Sequence, residues 1–404
     1  MRLLFADATS PATVEQLESR GHEVVVRPEL TAADLPGEIS GYDVLVVRST
    51  KVGADVLGAA DRLSLVIRAG AGTNTIDCDA AAAKGVFVAN VPGRNSIAVA
   101  ELTLGLLLAI DRRIADNVAD LRAGRWDKKA YSAANGLYGS TLAIIGAGDI
   151  GLAVAERAAA FGITVQVLAK DDREPATQAQ LDAVGVVFYD SLEKLVSSSD
   201  AVTLHVPSHP ETRGMVDAEF LSWMRPGAIL INTSRGDVVD QDALLAAIDE
   251  KGLRVGLDVY DDEPSAGQAS WSSPLAEHPN VVGTHHIGAS TEQAQRAIAD
   301  GVVQVVDAFA EGQAANCVNL APRRLGAATL SVRHLDRVGV LARVLELLSA
   351  ERLNVETMHN RVFDGGHAAV ATIDVGGVVA DDLLARLRAV PDVLSVSVAS
   401  LSEP

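Results

Sequence analysis

Residues 141–169 read TLAIIGAGDIGLAVAERAAAFGITVQVLA. The run TLAII suits a buried strand of a parallel sheet. Gly146, Gly148 and Gly151 then space a G-x-G-x-x-G turn around Asp149 and Ile150, and LAVAERAAAFG follows as a helix. In a strand–turn–helix setting such glycines permit a tight turn and close backbone approach. The helix N-terminus then faces an anion, here the pyrophosphate of a dinucleotide. TVQVLA predicts the next strand, which in an NAD site ends in an acid that grips the ribose diol. That position holds Ala169, followed by Lys170, Asp171, Asp172 and Arg173. Three readings stay open. Lys170 and Arg173 hold the 2′-phosphate of NADP, Asp171 takes the acid's role for NAD, or the two cations are solvated loop residues.

Downstream, VVFYD, AVTLHV, AILINT, RVGLDVY and VVGTHHIG read as further strands of the same sheet. Upstream, LLFAD, EVVVR, VLVVR, LVIRAG and VFVAN alternate with helical stretches such as PATVEQLESRG, which predicts a small parallel α/β domain. Residues from Ser96 to about Ala123 read as one long helix. A helix from Thr291 to Glu311 should return to the first domain. That domain is then discontinuous, 1–97 and 289–318, around a nucleotide domain at 98–288. NLAPRRLGA, 319–327, reads as a linker. Residues 328–404 show a βαββαβ, ferredoxin-like order, which suits a regulatory or oligomerising module.

Three polar residues then stand in order: Arg235 in NTSRGDVVD, Glu263 after GLDVYDD, and His286 in THHIGAST. Arg235 follows an apolar strand, and its fork can pair with a carboxylate through two hydrogen bonds. An imidazole can move a hydroxyl proton, and a carboxylate beside it fixes its tautomer. Such a set suits hydride transfer at a carbon bearing a hydroxyl next to a carboxylate. Asp258 can accept from the nicotinamide carboxamide.

Composition narrows the partners. The 404 residues carry a net charge of −19, which disfavours nucleic acid and anionic membranes. Any anionic substrate must be gathered by local basic residues. The apolar stretch Ile97–Ile110 is too short to span a bilayer and contains Glu101. Cys78 and Cys317 stand in unrelated contexts, so neither a disulfide framework nor a metal site is expected. MRLLFADATS does not read as a signal peptide, and the cytoplasm is the expected compartment.

With these motifs in hand, the chain resembles the D-isomer-specific 2-hydroxyacid dehydrogenases over nearly its whole length. VVRSTKV, RAGAGTNTID, NVPGRNSIAVAEL, GAGDIG, HVPSHPETRGM, MRPGAILINTSRGDVVD, GLDVYDDEP and HHIGAST follow in the family's order. The resemblance implies a Rossmann-type nucleotide domain inserted in a flavodoxin-like substrate domain. It gives Arg235, Glu263 and His286 the catalytic roles. It adds His205, Val206, Pro207, Thr233, Ser234 and Gly288 to the cofactor contacts. Arg48, Ser49, Asn95 and the backbone at Gly70, Ala71 and Gly72 would line the substrate pocket, with Lys51 and Arg94 as candidates for a substrate phosphate. Likeness is greatest to members that oxidise D-3-phosphoglycerate for serine synthesis. The tail, with HLDRVGVLARV, resembles an ACT domain, in which His334, Asp336 and Asn354 fall where L-serine is contacted. A homodimer or homotetramer is implied. Departures at Ala169, Asp237, His285, Asp336 and Val338 keep two alternatives in view. One is an NADPH-dependent reductase of hydroxypyruvate, glyoxylate or 2-oxoglutarate. The other is an NAD-sensing binding protein or corepressor without turnover.

Overall fold

The computed structural model describes residues 1–264, 268–321 and 326–400, so the expected linker and the end of the tail lie partly outside the described residues. The chain forms two compact units, 1–319 and 320–404.

The larger unit holds two parallel sheets. The first contains β1 (Arg2–Phe5), β2 (Glu23–Val26), β3 (Val44–Val47), β4 (Leu65–Arg68) and β5 (Phe87–Asn90), in the order β2-β1-β3-β4-β5. β3 is buried at every residue, as a strand covered on both faces must be. Helices α1 (Pro11–Ser19), α2 (Leu35–Glu38), α3 (Ala54–Ala59) and α4 (Cys78–Ala83) connect these strands. Ser10 caps α1 by accepting a hydrogen bond from the Thr13 amide, with Pro11 in the first turn.

The long helix expected up to Ala123 is two helices, α5 (Ser96–Arg112) and α6 (Ile114–Arg122). Arg113 between them is left-handed at φ 49°. The reason lies in the core. α5 buries Leu104, Leu106, Leu107 and Ile110 against the second sheet, whereas α6 buries no residue. Past Arg112 there is no apolar surface to follow. The Arg113 guanidinium instead pairs with Asp116 and lies over the Tyr131 ring.

The second sheet contains β6 (Thr141–Ile145), β7 (Thr164–Leu168), β8 (Val187–Tyr189), β9 (Ala201–Leu204), β10 (Ile229–Asn232), β11 (Arg254–Leu257) and β12 (Val281–Gly283). Its order is β12-β11-β10-β9-β6-β7-β8, all parallel, with the sequence of strand placement reversing between β6 and β9. Helices α7 (Asp149–Ala160), α8 (Pro175–Val184), α9 (Leu192–Ser197), α10 (Ala218–Trp223), α11 (Gln241–Lys251) and α12 (Pro274–Glu277) flank it. α13 (Glu292–Ala310) then packs Ile298, Val302, Val305 and Val306 onto Leu3, Phe5, Val44 and Val46 of the first sheet. The unit's last helix thus shares a core with its first strand. Among the described residues, no helix is long and apolar enough to cross a membrane.

The smaller unit runs β13 (Ala328–Leu335), α14 (Val340–Ala350), β14 (Val355–Val362), β15 (Ala368–Val375), α15 (Asp381–Arg388) and β16 (Val393–Ser400). Its antiparallel sheet has the order β14-β15-β13-β16. Alternation along β13 sends Leu330 and Val332 into one core with Val344 and Leu348 of α14.

Candidate active site

Three neighbouring strand ends assemble the polar trio. β10 leads to Arg235, β11 to Glu263 and β12 to His286. The His286 Nδ1 lies 2.7 Å from a Glu263 carboxylate oxygen. A carboxylate only accepts, so Nδ1 carries the proton and Nε2 is left free to exchange one. His286 is left-handed at φ 51°, a conformation costly for a residue with a Cβ.

Asp258 holds the loop there. Its buried carboxylate accepts from the Thr284 hydroxyl at 2.6 Å, the Ile287 amide at 2.8 Å and the Gly288 amide at 2.9 Å. Its backbone carbonyl accepts from the His286 amide at 2.8 Å. The contacts seen for Asp258 and Gly288 are therefore with each other rather than across an open cleft. Gly236, next to Arg235, fits against the backbone of Tyr260 and Asp261, where any Cβ would overlap. This brings the Arg235 loop onto the loop that carries Glu263.

Arg235 has a support that the sequence reading missed. Buried Asn232 accepts from the Ser234 amide and hydroxyl and donates to the Arg235 carbonyl at 2.8 Å. Thr233 bonds to Thr103 of α5 at 3.0 Å. Thr233 and Ser234 are thus engaged within the protein.

Across from this trio lie loops of the first sheet. The Arg235 guanidinium sits against Gly72, where a Cβ would collide with it, and the Ala71 carbonyl is anchored by Asn90. A second guanidinium, Arg68 at the end of β4, sits against Gly70. Burial, Arg235 and Arg48, in that order, push the Arg68 pKa down to about 10. Arg48, Arg68 and Arg235 thus form one cationic group, and the Arg68 Nε is buried without a partner. Arg68 was legible in principle, as a cation ending an apolar strand like Arg48. Asp7, also missed, accepts from the Arg48 amide at 2.7 Å and the Ser49 hydroxyl at 2.7 Å, so Ser49 braces its own loop. Arg94 turns away to Gln304 of α13, beside a cavity of about 640 Å³ shared with Asp149. Lys51 is exposed, and Asn95 stands at the start of α5 without a capping bond.

The glycine turn has the form a dinucleotide requires. Gly146 (φ 99°) lies against the His205 carbonyl and Gly151 against the Gly146 carbonyl, so a Cβ at either would overlap backbone. Gly148 faces open space and precedes α7 with no side-chain cap, which leaves the first amides free for phosphate. His205 contributes backbone here. Its enclosed ring contacts Thr203 at 3.0 Å, and burial pushes its pKa down to about 3. At the end of β7, Arg173 donates to the Leu168 carbonyl and Gln178 and lies over Phe188, while Ala169, Lys170 and Asp171 are exposed.

In the smaller unit, His334 is buried and bonded to Asn360 at 3.2 Å, and Asn354 donates to Glu356 at 2.9 Å. Through β15, the start of β14 lies level with the start of β13. Asp336 and Asn354 are therefore at opposite ends of the sheet, and one copy does not bring them together.

The family profile described as "D-isomer specific 2-hydroxyacid dehydrogenase, NAD binding domain" matches residues 104–288, and the ACT domain profile matches 328–392. A hydroxypyruvate reductase of Thermotoga maritima is 40% identical over 76% of this chain and 97% of its own length. The chain belongs to the D-isomer specific 2-hydroxyacid dehydrogenases. Another relative, a D-3-phosphoglycerate dehydrogenase of Methanocaldococcus jannaschii, is 40% identical over 79% of this chain, which spans only 60% of that protein's length. The crystal structure of a D-lactate dehydrogenase from Aquifex aeolicus, complexed with NAD and lactic acid, superposes with a TM-score of 0.67. It is 28% identical and covers 80% of this chain and all of its own. The fold and family expected from the motifs are borne out, including the ACT domain.

One linkage follows from His205. Burial pushes its pKa from the ordinary 6.5 of the unfolded chain down to about 3. Its stabilising contribution is therefore complete above 6.5 and falls as pH drops toward 3, by up to about 1.4 kcal/mol per pH unit. Urea unfolding of the wild type between pH 7 and 4 should lose stability more steeply than His205→Gln. Parallel curves would contradict a neutral buried ring.

Proposed function

We propose that this chain is an NAD-dependent dehydrogenase that interconverts D-3-phosphoglycerate and 3-phosphohydroxypyruvate. The observation that supports it most is the group of three guanidiniums. One arginine suffices for the carboxylate common to all 2-hydroxy acids. Arg48 and Arg68, beside Arg235, suit a second anionic group on the same substrate, and a phosphate on the third carbon, two beyond the carboxylate carbon, meets that need.

In this reading Arg235 pairs with the substrate carboxylate, and the amides near Gly70–Gly72 steady it. The turn at Gly146, Gly148 and Gly151 and the first amides of α7 would hold the dinucleotide, which when bound would supply reversible hydride exchange with C2. His286 Nε2 accepts the C2 hydroxyl proton in oxidation and donates one in reduction. Glu263 stabilises the imidazolium that forms. Asp258 acts through the loop, as a positioning residue. The Thermotoga relative, a hydroxypyruvate reductase, supplies the natural comparison substrate, since hydroxypyruvate is the same keto acid without phosphate.

The test is steady-state reduction of 3-phosphohydroxypyruvate and hydroxypyruvate by wild type and Arg68→Ala. The variant should lose roughly 10–100-fold in kcat/KM on the phosphorylated acid, the value of a charged hydrogen bond (~1.5–3 kcal/mol), and little on hydroxypyruvate. Equal losses, or a wild type that favours the unphosphorylated acid, would point to the hydroxypyruvate reductase reading. His286→Ala should lower turnover on either substrate by at least ~10²-fold. Near-normal turnover would remove His286 from the chemistry.

NADP is proposed as a second, competing carrier, because Ala169 leaves no carboxylate at that site while Lys170 is an exposed cation beside it. Ala169→Asp should then shift the kcat/KM ratio toward NAD by roughly tenfold or more, the scale of a charged hydrogen bond. An unshifted ratio would contradict it.

A homo-oligomer is proposed on two grounds. Ile114, Val118 and Leu121 make an exposed apolar stripe along α6, with Trp126 82% exposed beyond it. A site using both Asp336 and Asn354 also needs two copies of the smaller unit. L-serine binding there should accompany pairing. Sedimentation of the full chain with and without L-serine should show a dimer or tetramer that serine tightens. A monomer indifferent to serine would refute both.

A further inference from the structure

An open parallel sheet whose strand order reverses leaves a crevice at the carboxyl ends of the two strands where it reverses, because their connections run to opposite faces. The second sheet reverses between β6 and β9, beside the glycine turn. The first sheet reverses between β1 and β3, since its order is β2-β1-β3-β4-β5. The reaction proposed above draws on that second crevice only through Arg48. It is a cavity of about 450 Å³, within the size range of small-molecule sites. Phe5, Val46, Ile298 and Val302 form a buried apolar floor. Ser10, Arg48 and Gln295 stand on its rim. Arg235, Glu263 and His286 are not among its walls.

Charge selects the ligand. Glu292 and Arg296 at the mouth pair with each other. Asp7, on the wall, already accepts from the amides of Arg48, Ser49 and Thr50 and from the Ser49 hydroxyl. The Arg48 guanidinium has no ion pair or hydrogen bond among the described residues. The N-terminal end of α1, at Ser10, adds a partial positive charge. One free cation above an apolar floor fits one kind of molecule.

We propose that the β1–β3 crevice is a second binding site, for a small aliphatic monocarboxylate. The carboxylate pairs with Arg48, and the branched body lies on Phe5, Val46, Ile298 and Val302. Occupancy engages the guanidinium that also faces Arg68. It weakens the hold on the substrate's second anion without filling the reaction cleft. That coupling rests on the reaction proposed above, whereas the binding rests on the strand order and the cavity.

Calorimetric titration of the full chain with isovalerate, and with isovaleramide as the uncharged control, tests the site. Ile298→Trp fills the floor. Gln295→Glu places an anion at an exposed rim position and keeps the fold even if the first variant does not. Isovalerate should bind saturably, the amide at least tenfold more weakly, and both variants at least tenfold more weakly than wild type. The KM for the keto acid should rise to a plateau as isovalerate saturates. No saturable binding, equal binding of the amide, or Gln295→Glu binding like wild type would overturn the site. A KM that climbs without limit would make the crevice an arm of the reaction cleft and overturn it too. If no keto acid is turned over, calorimetry still decides the binding.

Discussion

The buried carboxylate of Asp258 is the constraint on which the candidate site depends. It stands just past β11 and reaches the loop beyond β12, where it takes one hydroxyl and two amide hydrogens. A left-handed histidine costs of order 1–3 kcal/mol and persists only where its surroundings over-determine it. Here three bonds to the carboxylate and one to its carbonyl do so, and the ring arrives within hydrogen-bond reach of Glu263. Ordinary parallel pairing brings in the third member. β10 lies beside β11 in register, so Asn232 stands level with Leu257 and the Arg235 loop opens on the same edge. The chemistry collects at this edge because parallel strands deliver all their carboxyl ends to it.

Electrostatics sort the rest. A chain with a net charge of −19 repels anions at long range, yet Arg48, Arg68 and Arg235, from three strand ends, lie close enough for the other two to act on Arg68. Arg68 is mostly buried beside the cations Arg235 and Arg48, which the carboxylate of Asp7 offsets only in part. Its depressed pKa records the work of holding it charged there. Such a group is costly in isolation and favourable once a polyanion neutralises it. In the reaction proposed above, that is how a scaffold shared with lactate and hydroxypyruvate enzymes would be turned toward a phosphorylated acid.

Sequence carried the architecture because period and punctuation agree. Apolar runs of four or five residues became buried parallel strands, and glycines at 146 and 151 became contacts too close for any Cβ. The polar trio was legible because each member follows an apolar strand. What was not legible depends on distant packing. The break at Arg113 is set by where the core beneath α5 ends, which no local pattern marks. Asp7, Asn232 and Arg68 are ordinary strand-end residues until folding shows what they hold. The same holds for Arg173, whose guanidinium turns back onto the Leu168 carbonyl, and for Arg94, tied to α13. The opposed ends of Asp336 and Asn354 follow from strand register, which sequence does not fix.

The hydrogen bond to Glu263 sets the His286 ring in one tautomer before any substrate arrives. Nitrogen-15 NMR of the histidine side chains, with His286 assigned by comparison with His286→Gln, measures this directly. The neutral ring should carry its proton on Nδ1, facing Glu263, with Nε2 bare. A ring protonated on Nε2, or one averaging between the two forms, would contradict it.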